Sequence, residues 1–237
     1  MDISIVIPVW NESAKIAGDL DAAIHFFESF SLKGEVIVSD DGSSDNTRQV
    51  AVRMSEELNY PVKIIRNEHH GKGHAVRSGI LSASGDIILF IDSGSCIPYR
   101  DVWKGVVLIR KEACDIAHAS RFLPESRIEV PKGWIRRISS YLFRKFVHHY
   151  MKIPHHLTDT QCGLKIYPKG IAHKLYDECY TRGFTFDIEI IIRAKREKLR
   201  IMEFPVTWRS DPDSRLFIFQ SFTEIWKELR MIRRKLV

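Results

Sequence analysis

Short apolar runs that stop at turn residues recur through the first half of the chain. "ISIVIPVW" (3–10), "VKIIRN" (62–67) and "DIILFID" (86–92) are rich in Ile and Val and end at Asn, Asp, Gly or Ser. Runs of this length and character predict strands buried on both faces, as in a parallel sheet. "EVIVSDDGSSDNT" (35–47) reads as a further strand that breaks into an acidic Gly/Ser turn and then a helix, with Asp45 near the helix start. Asn11 and Ser13 stand where side chains cap a helix running to about residue 30. "GKGHAVRSGILSAS" (71–84) opens another helix that ends before Gly85. Strands alternating with helices predict an α/β fold built on a mainly parallel sheet.

Beyond about residue 120 the pattern changes to basic amphipathic segments. "WIRRISSYLFRKFVHHYMKI" (134–153) places Trp134, Ile138, Tyr141, Leu142, Phe146, Tyr150 and Ile153 at helical spacing, interleaved with Arg136, Arg137, Arg144, Lys145 and Lys152. "FIFQSFTEIWKELRMIRRKLV" (217–237) repeats the design with Phe222, Ile225, Trp226, Leu229 and Ile232 on one face. Each segment supports two readings. It packs on the sheet with a solvated basic face, or it lies on a membrane surface.

Composition narrows the classes. With 237 residues, 44% of them hydrophobic, and no linker or repeat, the chain reads as one domain, 1–237. A net charge of +6 points to an anionic partner: a nucleotide, a phospholipid surface or nucleic acid. Cys96, Cys114, Cys162 and Cys179 form no C-x-x-C pair, which fits reduced thiols in a cytosolic protein. The start, with Pro8 and Glu12 close behind Met1, does not read as a signal peptide. No run approaches the roughly 18–20 apolar residues that span a bilayer. The ten histidines, among them the adjacent pairs 69/70, 148/149 and 155/156, read as surface or phosphate-facing groups, not as a metal site.

In a parallel sheet the strand ends share one edge, where ligands of open α/β sheets bind. That edge would carry Pro8 to Glu12, then Asp40, Asp41 and Asp45, then Lys72 and Arg77, then Asp92. Carboxylates accept from a base or ribose, while cations and helix N-terminal amides hold a diphosphate. "HHGKGHA" is neither a P-loop nor G-x-G-x-x-G, because Val76 stands at the third glycine. Taken alone, "DDGSSDNT" reads equally well as a helix-capping turn.

Seven stretches in order change that balance: "SIVIPVWNE", "VIVSDDGSSDNT", "GKGHAVRSGILSASGDIILFID", "SRF" (120–122), "DTQCGLKIYP" (159–168), "FTFDIEIIIRA" (184–194) and "EFPVTW" (203–208). Together they resemble the family 2 glycosyltransferases of GT-A fold. Within these they are most similar to the polyprenyl-phosphate enzymes, the dolichyl-phosphate glucosyl branch more than the mannosyl one. A nucleic-acid partner explains none of these motifs.

The resemblance implies transfer of a hexose, glucose from UDP-glucose, to a polyprenyl or dolichyl phosphate with inversion, peripherally on the cytoplasmic face of a membrane. Residues 1–120 would bind the nucleotide-sugar and 121–237 the acceptor. Asp92 matches the first acid of the family's Asp-x-Asp, which helps hold Mg2+ or Mn2+ on the donor diphosphate. Gly94 takes the second acid's place, with Ser93 and Ser95 in reach to support. Pro8 and Glu12 match the first nucleotide loop, Asp40 and Asp41 the acids that meet base or ribose, and Lys72 a cation near the phosphates. Arg121 matches a phosphate-facing arginine. Asp159, Gln161 and Cys162 match a motif beside the sugar, and Asp187 and Glu189 an acidic pair. Asp92, Asp159, Asp187 and Arg121 form the implied catalytic set. Arg209 and Arg215 fall near a basic motif that usually reads Gly-Ser-Lys-Leu and here reads "DSRL". The alternatives are a sugar-hydroxyl acceptor with Asp187 or Asp159 as base, and a degenerate homologue that binds a nucleotide without turnover.

Overall fold

A computed structural model describes residues 1–130, 133–209 and 222–237. The first half alternates as its pattern predicts: β1 (Ile3–Val9), α1 (Ile16–Ser29), β2 (Gly34–Asp40), α2 (Thr47–Glu57), β3 (Val62–Arg66), α3 (Lys72–Leu81), β4 (Ile87–Ile91) and α4 (Tyr99–Arg110). The second half contains β5 (Ile116–Ser120), β6 (Arg127–Val130), α5 (Trp134–Met151), β7 (Leu164–Pro168), α6 (Lys169–Asp177), α7 (Phe186–Arg196), β8 (Ile201–Pro205), β9 (Thr207–Arg209) and α8 (Phe222–Leu236).

Seven strands form one sheet in the order β3-β2-β1-β4-β7-β5-β8, and β6 and β9 form a small second sheet. All neighbours in the large sheet are parallel except at β7, which runs antiparallel to both β4 and β5. The apolar runs are continuous because helices cover both faces. α1, α2 and α4 pack Leu20, Phe27, Ala51, Val102 and Val106 on one face. α3, α6 and α7 pack Val76, Ile80, Leu175, Tyr176, Phe186 and Ile190 on the other. Pro8 is tolerated inside a central strand because the β1–β4 ladder stops at Val6, leaving only β2 beside it.

Two local expectations are corrected. Asn11 and Ser13 do not cap α1, whose N-cap is Lys15 with no side-chain cap bond. Asn11 instead takes φ +54 and its Oδ1 accepts from the Ser44 backbone N–H at 2.8 Å, tying the first turn to the second. The two basic amphipathic helices also part company. Ile225, Leu229 and Ile232 of α8 are buried with Ile188, Ile191 and Ile192 of α7, so α8 is a packed helix and not a membrane-facing one. α5 joins that cluster through its C-terminal half, with Val147 and Met151 buried in it and Phe143 and Tyr150 packed against it. Its earlier apolar side chains, Trp134, Ile138, Tyr141 and Leu142, are 50–71% exposed.

Candidate active site

The C-terminal ends of β1, β2, β4 and β5 meet along one edge, and the reversal of β7 brings its N-terminal end to the same place. Asp92 follows β4 directly, and its backbone N–H donates to the Gly163 carbonyl at 2.9 Å. A Cβ on Gly163 would lie 2.0 Å from Asp92 Oδ2, so only glycine leaves the carboxylate room. Lys72 opens α3 and donates from Nζ to Asp92 Oδ2 at 2.8 Å, with Oδ1 at 2.6 Å. Oδ1 lies off the hydrogen-bonding direction of that ammonium and accepts no hydrogen bond. Burial alone would lower the Lys72 pKa, but the Asp92 and Asp187 carboxylates outweigh it and hold it above the ordinary value.

The loop after Asp92 is held from below by a residue outside the expected set. Asp19 of α1 accepts from the backbone N–H groups of Gly94 and Ser95 at 2.9 Å each, and from the hydroxyls of Ser93 at 2.6 Å and Ser95 at 3.0 Å. This clamp sustains positive φ at Gly94 (+95) and Ser95 (+50). Ser93 and Ser95 are therefore committed to Asp19 and do not support Asp92 as expected. The sequence carried one sign of this: Asp19 falls three residues after Ile16 and four before Ala23, inside the apolar stripe of its own helix.

Across β7 lie two further ion pairs, both inward. Arg121 follows β5 and donates from Nε and Nη2 to the two carboxylate oxygens of Asp159 at 2.7 and 2.9 Å. Asp159 is held below the usual carboxylate range: burial would raise it, and Arg121 more than compensates. Its loop is fixed by Glu203, which accepts from the Thr158 and Asp159 backbone N–H groups at 2.8 Å each. Lys165 of β7 is buried and paired with Asp187 of α7. Burial raises the Asp187 pKa despite that partner. Cys162 is pushed up to about 12 by burial, so its thiol is protonated and inert. Both Asp159 and Asp187, the candidate bases, are 2–3% exposed and already paired.

The remaining expected residues sort by where they point. Asp41 turns inward and organises the next loop, accepting from the His70 and Gly71 backbone N–H groups at 3.0 and 2.9 Å. Asp40 is fully buried, accepting the Ser43 N–H at 3.0 Å with Arg48 Nε 3.3 Å from Oδ2. The α3 N-terminal amides expected to hold a diphosphate are already used: Gly73 and His74 donate to the Gly183 and Arg182 carbonyls at 3.2 and 3.1 Å. Lys72 Nζ is thus what α3 offers the edge. Glu12 receives Lys15 at 3.1 Å, and Gln161 Nε2 donates to the Phe184 carbonyl at 3.3 Å. Glu189 is a buried structural acid that receives Arg193 Nε at 2.8 Å and the Thr181 N–H at 2.9 Å. Arg209 pairs with Glu129 at 3.1 Å on the surface. Arg215 lies outside the described residues, as does the side chain of Arg136. Among the histidines, His118 overturns the surface reading, being wholly buried on β5 opposite Lys165.

The model of the family described as Glycosyl transferase family 2 matches residues 4–175. The chain belongs to this family. Its curated relatives include the dolichyl-phosphate beta-glucosyltransferase of Saccharomyces cerevisiae, 32% identical over 98% of this chain and 74% of that protein. The human protein of the same name is 28% identical with the same coverage. Among solved structures, glucosyl-3-phosphoglycerate synthase from Mycobacterium tuberculosis, crystallised with Mn2+, UDP and phosphoglyceric acid, superposes with a TM-score of 0.75. It is 18% identical and is matched over 100% of this chain and 79% of that one, a likeness of fold. The protein is a glycosyltransferase of GT-A fold, and the edge around Asp92 is its candidate catalytic edge.

In a family 2 glycosyltransferase a divalent ion would meet this chain at Asp92. No group of three or more His, Cys, Asp or Glu side chains among the described residues is placed to hold one. Asp92 nevertheless fits as a single protein ligand, since its side chain is 36% exposed and its buried Oδ1, 2.6 Å from the Lys72 ammonium, accepts no hydrogen bond. The rest of an oxygen shell would come from donor phosphate and water, as hard cations commonly arrange.

Proposed function

We propose that this glycosyltransferase moves glucose from UDP-glucose to a polyprenyl phosphate, with inversion, while docked peripherally on the cytoplasmic face of a membrane. One observation carries the reading. The Arg144 guanidinium of α5 lies 3.7 Å from the ring centroid of Phe122, the neighbour of Arg121, so the exposed apolar face of α5 is joined directly to the catalytic edge. A soluble acceptor gives no reason for apolar side chains and cations to stand together there. The relatives' names support the acceptor class. No described helix is long and apolar enough to cross a membrane, so α5 would lie on the surface.

The chemistry suits the pairs found. An alkyl phosphate is already anionic near neutrality, with a second pKa of about 6. Its oxygen attacks the anomeric carbon from the side opposite the departing diphosphate and needs no base, which fits two candidate bases that are buried and paired. Lys72 holds the diphosphate of the donor, and Arg121, paired inward with Asp159, braces the edge that the lipid phosphate approaches. Asp41 acts on the donor through the loop that carries Lys72. Asp92 would hold Mg2+ or Mn2+, which supplies Lewis-acid stabilisation of the leaving diphosphate. Interactions that strengthen as charge builds on that group raise turnover more than binding.

The test is transfer of labelled glucose from UDP-glucose into solvent-extractable lipid, using vesicles with and without polyprenyl phosphate. Label in lipid only when the phosphate is present is expected. Asp92→Asn should lose turnover by a factor on the order of 10²–10³ while shifting UDP affinity far less. Equal transfer to a soluble sugar, with none to lipid, would overturn the acceptor.

A further inference from the structure

The ammonium of Lys72 stands where a cation on Asp92 would stand. It reaches both carboxylate oxygens, at 2.6 and 2.8 Å. The two other cations nearby, Lys165 and Arg121, are locked to Asp187 and Asp159 in the interior. The Lys72–Asp92 pair is different. Its side chains are 21% and 36% exposed, so it opens toward the edge where a diphosphate would arrive.

The backbone beneath Lys72 is fixed. Gly71 has φ +109, and a Cβ there would lie 2.8 Å from the Arg182 carbonyl. Its N–H is held by Asp41, and Gly73 and His74 are bonded to residues 183 and 182. Any movement is therefore confined to the lysine side chain, a flexible four-carbon stem with a compact charge.

We propose that Lys72 is an internal competitor for Asp92: it caps the carboxylate against divalent ions until a donor diphosphate draws its ammonium away. This rests on the donor assignment above. The charge count supports it. A dication placed on Asp92 beside the ammonium meets like charge, and the other carboxylate acting on Lys72, Asp187, is already paired with Lys165. A diphosphate gives the ammonium a second anionic partner and gives the ion further oxygens, so the two ligands enter as a unit. Because Gly94 supplies no second acid, the single carboxylate has nothing else with which to outbid its own lysine.

The consequence is two effects of opposite sign in one variant. Mn2+ and UDP binding are measured by calorimetry, separately and together, on the wild type, Lys72→Met, Lys72→Gln and Lys72→Met/Asp92→Asn, each checked by thermal unfolding. The lysine variants should bind Mn2+ alone about tenfold tighter than wild type and UDP alone more weakly. The factor by which UDP tightens Mn2+ should shrink in them, and by reciprocity the factor by which Mn2+ tightens UDP should shrink equally. Adding Asp92→Asn should erase the gain in Mn2+ affinity. Lysine variants that bind Mn2+ no tighter than wild type would overturn the proposal, as would a gain that survives Asp92→Asn. A wild type that binds no UDP would refute the donor assignment instead, and a tighter Mn2+ site in the variants would still support the capping.

Discussion

α5 and α8 have the same design in sequence and opposite fates in the fold. Both interleave aromatic and aliphatic residues with arginine and lysine at helical spacing. α8 buries Ile225, Leu229 and Ile232 against α7, and Trp226 closes over Phe146 and Tyr150 with ring centroids 5.8 and 5.3 Å away. α5 buries only its last turns and leaves Trp134, Ile138, Tyr141 and Leu142 in the open. Periodicity reports that a helix has an apolar face. It does not report what covers that face, because the cover comes from residues distant in the chain. For α8 the cover is α7. For α5 no described residue covers it, and a membrane supplies it under the function proposed here.

The contrast can be broken most sharply at Leu229. It is 1% exposed, and Leu229→Ala should cost about 2–5 kcal/mol of folding stability through lost contacts and a cavity. Urea unfolding measures this, and a loss under about 0.5 kcal/mol would place α8 with α5 as a surface helix. The mirror experiment is Ile138→Ser with Leu142→Ser. Folding stability should change by less than about 0.5 kcal/mol per site, while affinity for anionic vesicles drops at least tenfold, since burying each side chain is worth roughly 1.5–3 kcal/mol. Binding should also weaken with salt, because Arg137, Arg144 and Lys145 each contribute about 1 kcal/mol at a screened surface. Vesicle sedimentation reads both effects.

The smallest effect extends the comparison from apolar to titratable groups. Arg137 and Lys145 on α5 are exposed to water, whereas His118 is wholly buried. Burial and the Lys165 ammonium hold its pKa well below the ordinary histidine value, and neither ring nitrogen accepts or donates a hydrogen bond. Asp159 and Arg121 act on it in opposite directions. Native His118 stays neutral while the unfolded chain takes up a proton below about pH 6.5, so the unfolded state binds more protons and stability falls with falling pH. The slope reaches at most about 1.4 kcal/mol per pH unit and begins below about pH 6.5. Unfolding of His118→Gln over the same range should lack that component, and an unchanged slope would show that His118 does not carry it.

The strands of the first half were legible because a sheet covered on both faces leaves an unbroken apolar run, and that is a local signal. β7 was not legible as the reversed strand: "LKIYP" carries a lysine at its second position, and its ladder partners lie on β4 and β5, far away in sequence. The same limit applies to the site. Asp92, Lys72, Arg121 and Asp159 were visible as charged residues at strand ends and in motifs. Their pairing into Lys72–Asp92 and Arg121–Asp159 was not, since a pair is a property of two distant segments. Asp19 and Lys165 are not legible because a charge in an apolar stripe gives no hint of its partners until the chain is folded. Asn11 reads as a cap by residue type alone, but capping depends on local φ and ψ, and its positive φ sends its amide to another turn.

The reversal of β7 also bears on how the chain is made. β4 emerges with β1 on one side only, and its other edge, five residues of Ile, Leu and Phe, has no partner until residue 168 has been synthesised. An unpaired, uncharged strand edge is a template for pairing with other chains. While the intervening residues are translated, the nascent protein therefore carries an aggregation-prone edge that local structure cannot close. Arrival of β7 seals that edge and, through Gly163, sets the main chain beside Asp92 in the same step. Catalytic competence and protection from aggregation would be acquired together, late in synthesis, by one strand.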